Sequence, residues 1–154
     1  MQLAPWRELV RPEWIDYNGH LSEAYYVLVF GHATDAVMEQ VGLGEDYRER
    51  TSASLFTVEA HIRYVDQVSE GEELEIRSAV VGAGPKLLHV WHEMWAADRI
   101  RATEEILGAH VNTSAGRSTP FPNEVAAQIE AMVTERPEHS GRRIRIRERP
   151  VVDS

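Results

Sequence analysis

The sequence predicts an α+β fold in which a mainly antiparallel, five-stranded sheet curls around one long helix. Three observations lead there. The stretch from Ser22 to Val41 contains no proline and is apolar around most of its circumference. From Phe56 to Tyr64 apolar and polar residues alternate, and further extended segments follow at hairpin spacing. Short connections favour antiparallel pairing, and a helix that is apolar nearly all round must be covered, which a bent sheet can do.

In chain order, a short strand is expected around Trp6 to Val10. The helix runs for about five turns. Tyr25 to Phe30 are consecutive apolar or aromatic residues, and Ala33, Ala36, Val37 and Val41 continue at helical spacing, which decides against a buried strand. Gly42 and Gly44 supply the stop. In the next segment Phe56, Val58, Ala60, Ile62 and Tyr64 fall on one face, with Thr57, Glu59, His61 and Arg63 on the other. Glu72 to Val81, Lys86 to Ala96 and Arg101 to Thr113 give the remaining strands, punctuated by Gly71 and by Gly82 and Gly84. A second helix begins at Asn123, read as its N-cap, with Val125, Ala126, Ile129, Met132 and Val133 along one side.

At 154 residues, with 43% hydrophobic and 27% charged residues, the chain can bury one core without covalent staples. The single domain is placed at residues 1–135, and a basic tail at 136–154 carries Arg142, Arg143, Arg145, Arg147 and Arg149. That tail reads as a solvated or weak edge segment, or as an arm for phosphates. There is no cysteine, so disulfides, thiolate metal sites and a cysteine nucleophile are excluded. A formal charge of -9 disfavours nucleic acid as a partner. Residues 1–10 lack the apolar run of a signal peptide or membrane span, so a cytoplasmic protein with no membrane association is expected. His89 and His92 are three apart on a strand and point to opposite faces, which argues against a metal.

The chemistry concentrates before the long helix, in Asp16-Tyr17-Asn18-Gly19-His20-Leu21-Ser22-Glu23-Ala24-Tyr25-Tyr26. Aspartate, asparagine and glycine are ordinary turn and capping residues there. The segment nonetheless resembles the 4-hydroxybenzoyl-CoA thioesterase-like branch of the hotdog superfamily, which has an acidic residue three positions before a Gly-His pair and an aromatic residue beyond. Asp16, Gly19, His20 and Tyr26 match. Trp14 stands where many members carry a second acid, and Ser22-Glu23 replaces the usual asparagine pair. In the order of its elements the resemblance covers about residues 5 to 120. Pro12 to His20, Thr57 to Arg63 and His110 to Thr113 also look like the thioesterase domain fused to, or found beside, L-carnitine dehydrogenases, a group associated with betainyl-CoA.

This resemblance implies hydrolysis of a small acyl-CoA, with Asp16 attacking the thioester or activating water. Gly19 and His20, at the helix entrance, are the expected backbone oxyanion donors, and Asn18, His20, Glu23 and Glu59 the supporting polar groups. Trp14, Tyr17, Tyr25 and Trp91 offer rings to a trimethylammonium group through cation–π attraction, or simply form an aromatic core or dimer face. Arg63, Arg117 and the tail arginines are candidates for CoA phosphates. No resident cofactor is implied, since CoA is part of the substrate, and a homodimer or dimer of dimers is expected. Two competing readings remain. One is a non-catalytic hotdog protein that binds an acyl-CoA or a partner. The other is an enoyl-CoA hydratase, disfavoured because its usual histidine lies five positions after the aspartate, whereas His20 lies four after Asp16.

Overall fold

The computed structural model describes residues 2–146. Its elements are β1 (Trp6–Leu9), a 3-10 turn (Pro12–Trp14), α1 (Glu23–Gln40), α2 (Glu45–Thr51), β2 (Ala53–Tyr64), β3 (Glu73–Ala83), β4 (Leu87–Ala96), β5 (Arg99–Asn112), β6 (Arg117–Ser118) and α3 (Asn123–Met132). The predicted strands and both predicted helices are present, and the class is α+β. All strand pairs are antiparallel, in the order β1-β3-β4-β5-β2, and the two-residue β6 adds a sixth strand beside β5. Among the described residues no helix is long and apolar enough to cross a membrane.

The core lies between one face of the curled sheet and the helices. Tyr26, Val29, Phe30 and Ala33 of α1 pack with Leu74, Ile76, Met94 and Ala102. Further along, Val37, Val41 and Leu43 join Val80, Leu88, Val90 and Ile106, with Val125, Ile129 and Met132 of α3. α1 is covered on one side only. It packs mainly on β1, β3 and β4, leaving Val27 and Leu28 about half exposed and the inner surface of β5 and β2 partly open.

Three local features differ from the sequence expectation. β2 does not alternate cleanly, because a bulge at Val58 sets Thr57 against Gly108 and Glu59 against Leu107. Two residues oppose one at a bulge, so the side-chain parity flips. Leu55 and Thr57 therefore face α1 before it and Ala60 after it, and Phe56 does not share the Ala60 face. Second, α2 was not anticipated: Glu45 to Thr51 is short and strongly polar, with only Tyr47 buried. Third, Asn123 is the first helical residue of α3, and Pro122 occupies the cap.

The stretch after α3 returns to the sheet. Thr134 N–H donates to Val80 O, and Gly141 N–H donates to the Glu105 carboxylate. Residues up to 141 are thus tied to the sheet, while Arg147 and Arg149 lie outside the described residues.

Candidate active site

Asp16 sits at the base of a tight hairpin that leads into α1. Ile15 and Leu21 form an antiparallel bridge, Asp16 N–H donates to His20 O at 2.9 Å, and Ser22 N–H donates to Trp14 O at 3.0 Å. Gly19 closes the turn at φ +80, where a side chain would be strained, and its N–H donates to Asp16 O at 3.0 Å. The Asp16 carboxylate takes part. Its Oδ1 accepts from the N–H of Asn18 at 2.9 Å and of His20 at 3.4 Å. One oxygen is fixed by the backbone, and no described residue bonds Oδ2, which leaves it available for chemistry.

The expected oxyanion donors are not available in this arrangement. The N–H groups of Gly19 and His20 are both spent inside the turn. The open donors lie slightly further on. Ser22 makes no side-chain cap, and the N–H groups of Glu23 and Ala24, at the positive end of α1, find no partner among the described residues. They supply the kind of anion site expected at a helix entrance.

An ion pair between buried Arg101 and half-buried Glu72 holds the hairpin from behind. Arg101, only 2% exposed, donates through both terminal nitrogens to Glu72 at 2.9 and 2.8 Å and also bonds Gln67 O. The Arg101 hydrogen bond holds the Glu72 carboxyl below its ordinary pKa despite the opposing effect of burial. This clamps the 67–72 loop, whose Val68 O accepts from Leu21 N–H and whose Ser69 bridges to His20. Arg101 and Glu72 went unnoticed in the sequence, because only the fold brings together residues so far apart.

The remaining candidates divide into groups. Trp14 is buried and stacks on Tyr25 with ring centroids 5.6 Å apart, so it is part of the core behind the hairpin. Tyr17 is fully in solvent at the hairpin tip, and Glu23 is exposed in the first turn of α1. Tyr64 Oη meets Glu23 O at 3.5 Å, bringing the end of β2 to the same place. Glu59, His61 and Arg63 lie on the outer face of the sheet, turned away from α1. Glu59 and His61 share a cavity there with His89, Glu105 and Arg142. Trp91 is on that outer face too, its Nε1 donating to Glu93 at 3.0 Å, so it is not brought to Asp16. Arg117 pairs with Asn112, at the end of the sheet remote from the hairpin. His110 is committed at that end as well, between Tyr47 Oη and Thr119 O.

Residues 10–129 match the family described as the thioesterase-like superfamily. The chain belongs to the thioesterase-like superfamily. As a thioesterase of this type it acts on acyl-CoA thioesters. It is 42% identical over 125 residues to the betainyl-CoA thioesterase of Pseudomonas aeruginosa, covering 80% of this chain and 79% of the relative. It is also 35% identical over 137 residues to an Agrobacterium fabrum L-carnitine dehydrogenase/betainyl-CoA thioesterase, of which it spans 28% and which covers 86% of this chain. A Staphylococcus aureus protein solved in complex with CoA superposes with a TM-score of 0.87 at 27% identity, covering 95% of this chain and 96% of that one.

Beneath α1, the thioesterase carries a polar row of Thr34, His92 and Ser78. Thr34 Oγ1 donates to Phe30 O, so it accepts from His92 Nε2 at 2.9 Å, and Ser78 Oγ donates to His92 Nδ1 at 2.6 Å. Burial pushes the His92 pKa down to about 3 and keeps the ring neutral. His89, on the opposite face, instead meets Glu105 at 2.8 Å. Glu104, the β5 partner of His92, also points inward. The alternation along β5 marks its face, but its lack of a partner is visible only in three dimensions.

Proposed function

We propose that this thioesterase hydrolyses betainyl-CoA in the cytoplasm, as a step in carnitine catabolism, with Asp16 as nucleophile or general base. The observation carrying the reading is the Asp16 carboxylate, anchored through Oδ1 with Oδ2 open, on the hairpin that delivers the chain into the unpaired N–H groups of α1. A thioester whose carbonyl oxygen sits on the Glu23 and Ala24 N–H groups has the charge of its tetrahedral intermediate stabilised there. Asp16 Oδ2 then either attacks the carbonyl carbon, giving a mixed anhydride that water cleaves, or takes a proton from the attacking water. Both routes release CoA and the free acid. Similarity to relatives named for betainyl-CoA supports the acyl group.

CoA phosphates are assigned to Arg63 with Arg142, Arg143 and Arg145, which line a cavity of about 540 Å³ with His61. Arg63 is near the end of β2, which runs into the loop that braces the hairpin. The working unit is taken as a homodimer or dimer of dimers. Edge strand β2 exposes Phe56 and Val58, and α1 exposes Val27 and Leu28, a surface suited to a second copy. Sedimentation at equilibrium tests this, and a monomer that turns over thioesters contradicts it.

The function is tested by release of free CoA from betainyl-CoA, short straight-chain, aromatic and long-chain acyl-CoAs. Betainyl-CoA is expected to give the highest kcat/KM, and preference for a long or aromatic acyl group rejects the assignment. The Asx-type turn at Asp16 favours one second reading, in which the carboxylate only shapes the hairpin of an acyl-CoA-binding protein. Pure protein that binds acyl-CoA and releases no CoA decides for that reading.

A further inference from the structure

We propose that the pocket between α1 and β2 receives the acyl group and that Glu104, at its floor, selects acyl groups bearing a positive charge. This rests on the thioesterase reading above and assigns the residue behind its substrate preference.

The pocket, about 310 Å³, is lined by Val27, Gly31 and Thr34 of α1, by Leu55 and Ala60 of β2, and by Glu104. It exists because α1 packs mainly over β1, β3 and β4, leaving the inner face of β5 and β2 open. Its walls are mostly apolar, yet its floor holds the carboxyl group of Glu104, a residue only 5% exposed, with no hydrogen-bond or ion-pair partner among the described residues. A buried carboxylate is costly unless something compensates it. Every other strongly buried ionisable side chain on β5 is compensated within the chain: Arg101 by Glu72, Glu105 by His89, Ser140 and Gly141, and His110 by Tyr47 and Thr119. Glu104 therefore has the character of a group whose partner arrives with the ligand.

Gly31 points the same way. A glycine inside a helix costs about 1 kcal/mol relative to alanine, and no atom lies within 4 Å of where its Cβ would stand. Packing within the chain does not demand the glycine, whereas any side chain at that position would project into the pocket. The placement also suits a short acyl chain. Val27 is one turn beyond Glu23, about 6 Å along the axis, so an acyl group whose carbonyl meets the first-turn N–H groups extends directly into the pocket. A trimethylammonium group there finds apolar walls for its methyl groups and Glu104 for its charge.

Burial pushes the Glu104 carboxyl up to about 7, and an arriving cation favours the ionised form. The titratable groups facing it are Asp35 on α1, Tyr64 on β2 and His92 on β4.

The test compares betainyl-CoA with 3,3-dimethylbutanoyl-CoA, its uncharged carbon isostere, in the full-length protein. Wild type is expected to favour the cationic thioester by about 30-fold or more in kcat/KM, the scale of one desolvated charge contact. Glu104→Gln is expected to bring that ratio close to one, mainly by raising KM for betainyl-CoA. Glu104→Asp is expected to retain a preference of the same sign, and Gly31→Leu to raise KM for both thioesters. In wild type the ratio is expected to climb from pH 6 to pH 8, and to stay flat in Glu104→Gln. A Glu104→Gln enzyme that folds and keeps its cation preference overturns the inference while the betainyl-CoA assignment stands. Should Glu104→Gln not fold, loss of cation preference in Glu104→Asp or a flat wild-type pH profile overturns it. A wild type indifferent to the charge overturns both assignments.

Discussion

Glu104 and Glu105 are joined by one peptide bond and are about equally buried, at 5% and 6% exposed, yet the fold treats them in opposite ways. Glu105 points to the outer face, where burial raises its pKa, but Gly141 N–H, His89 and Ser140 outweigh that and hold it below the ordinary value. Glu104 points inward, meets no compensating donor, and is pushed up to about 7. Strand alternation alone separates them. The lesson is that burial of a carboxylate says little until its partners are counted: on one face the acid ties the chain's last segment to the sheet, and on the other it stands open in a pocket.

The largest change is expected at Arg101 of the same strand, whose two terminal nitrogens are both paired to Glu72. Arg101→Met removes the charged hydrogen bonds to Glu72 and releases the loop behind the hairpin, and is expected to cost about 3 kcal/mol, measured by urea unfolding, with kcat falling as the hairpin loosens. Next comes Glu105→Ala, expected to cost about 2–3 kcal/mol and to make residues 139–146 sensitive to protease. Because the folded pKa of Glu105 is depressed, its stabilisation is present above the unfolded value near 4.5 and is lost as pH falls through the folded value. Equal protease resistance in wild type and variant would break the contrast between the two faces.

Glu104 should behave with the opposite sign. Its folded pKa is raised, so the stability it contributes is present below about 4.5 and lost as pH rises through about 7. Glu104→Gln is therefore expected to gain on wild type by about 2–3 kcal/mol between pH 4.5 and pH 8. A pH-independent difference between the two would show that Glu104 is compensated after all.

Much of this molecule is legible in its sequence. The uninterrupted apolar run from Tyr25 to Phe30 demanded a covered helix, and the hairpin spacing demanded an antiparallel sheet; both follow from local periodicity. Asp16, Gly19 and His20 stand out because a turn motif and a helix start coincide in a few residues. What escaped lies beyond local periodicity. The Val58 bulge reverses the parity of β2 and so misplaces Phe56 and Thr57. By strand alternation Trp91 shares a face with His89, Glu93 and Trp95, but which face meets α1 is decided by His92 reaching Thr34. The Arg101–Glu72 clamp, 29 residues apart, and the missing partner of Glu104 depend on tertiary contacts that no sequence window contains.

The most direct measurement is steady-state hydrolysis of betainyl-CoA by Asp16→Asn. The amide keeps an oxygen for the Asn18 and His20 N–H groups, so the hairpin and the unfolding midpoint should be retained while the nucleophile or base is lost. kcat is predicted to fall by about 10²–10⁴-fold. A folded Asp16→Asn protein that hydrolyses betainyl-CoA at the wild-type rate would contradict the account and reduce Asp16 to a turn residue.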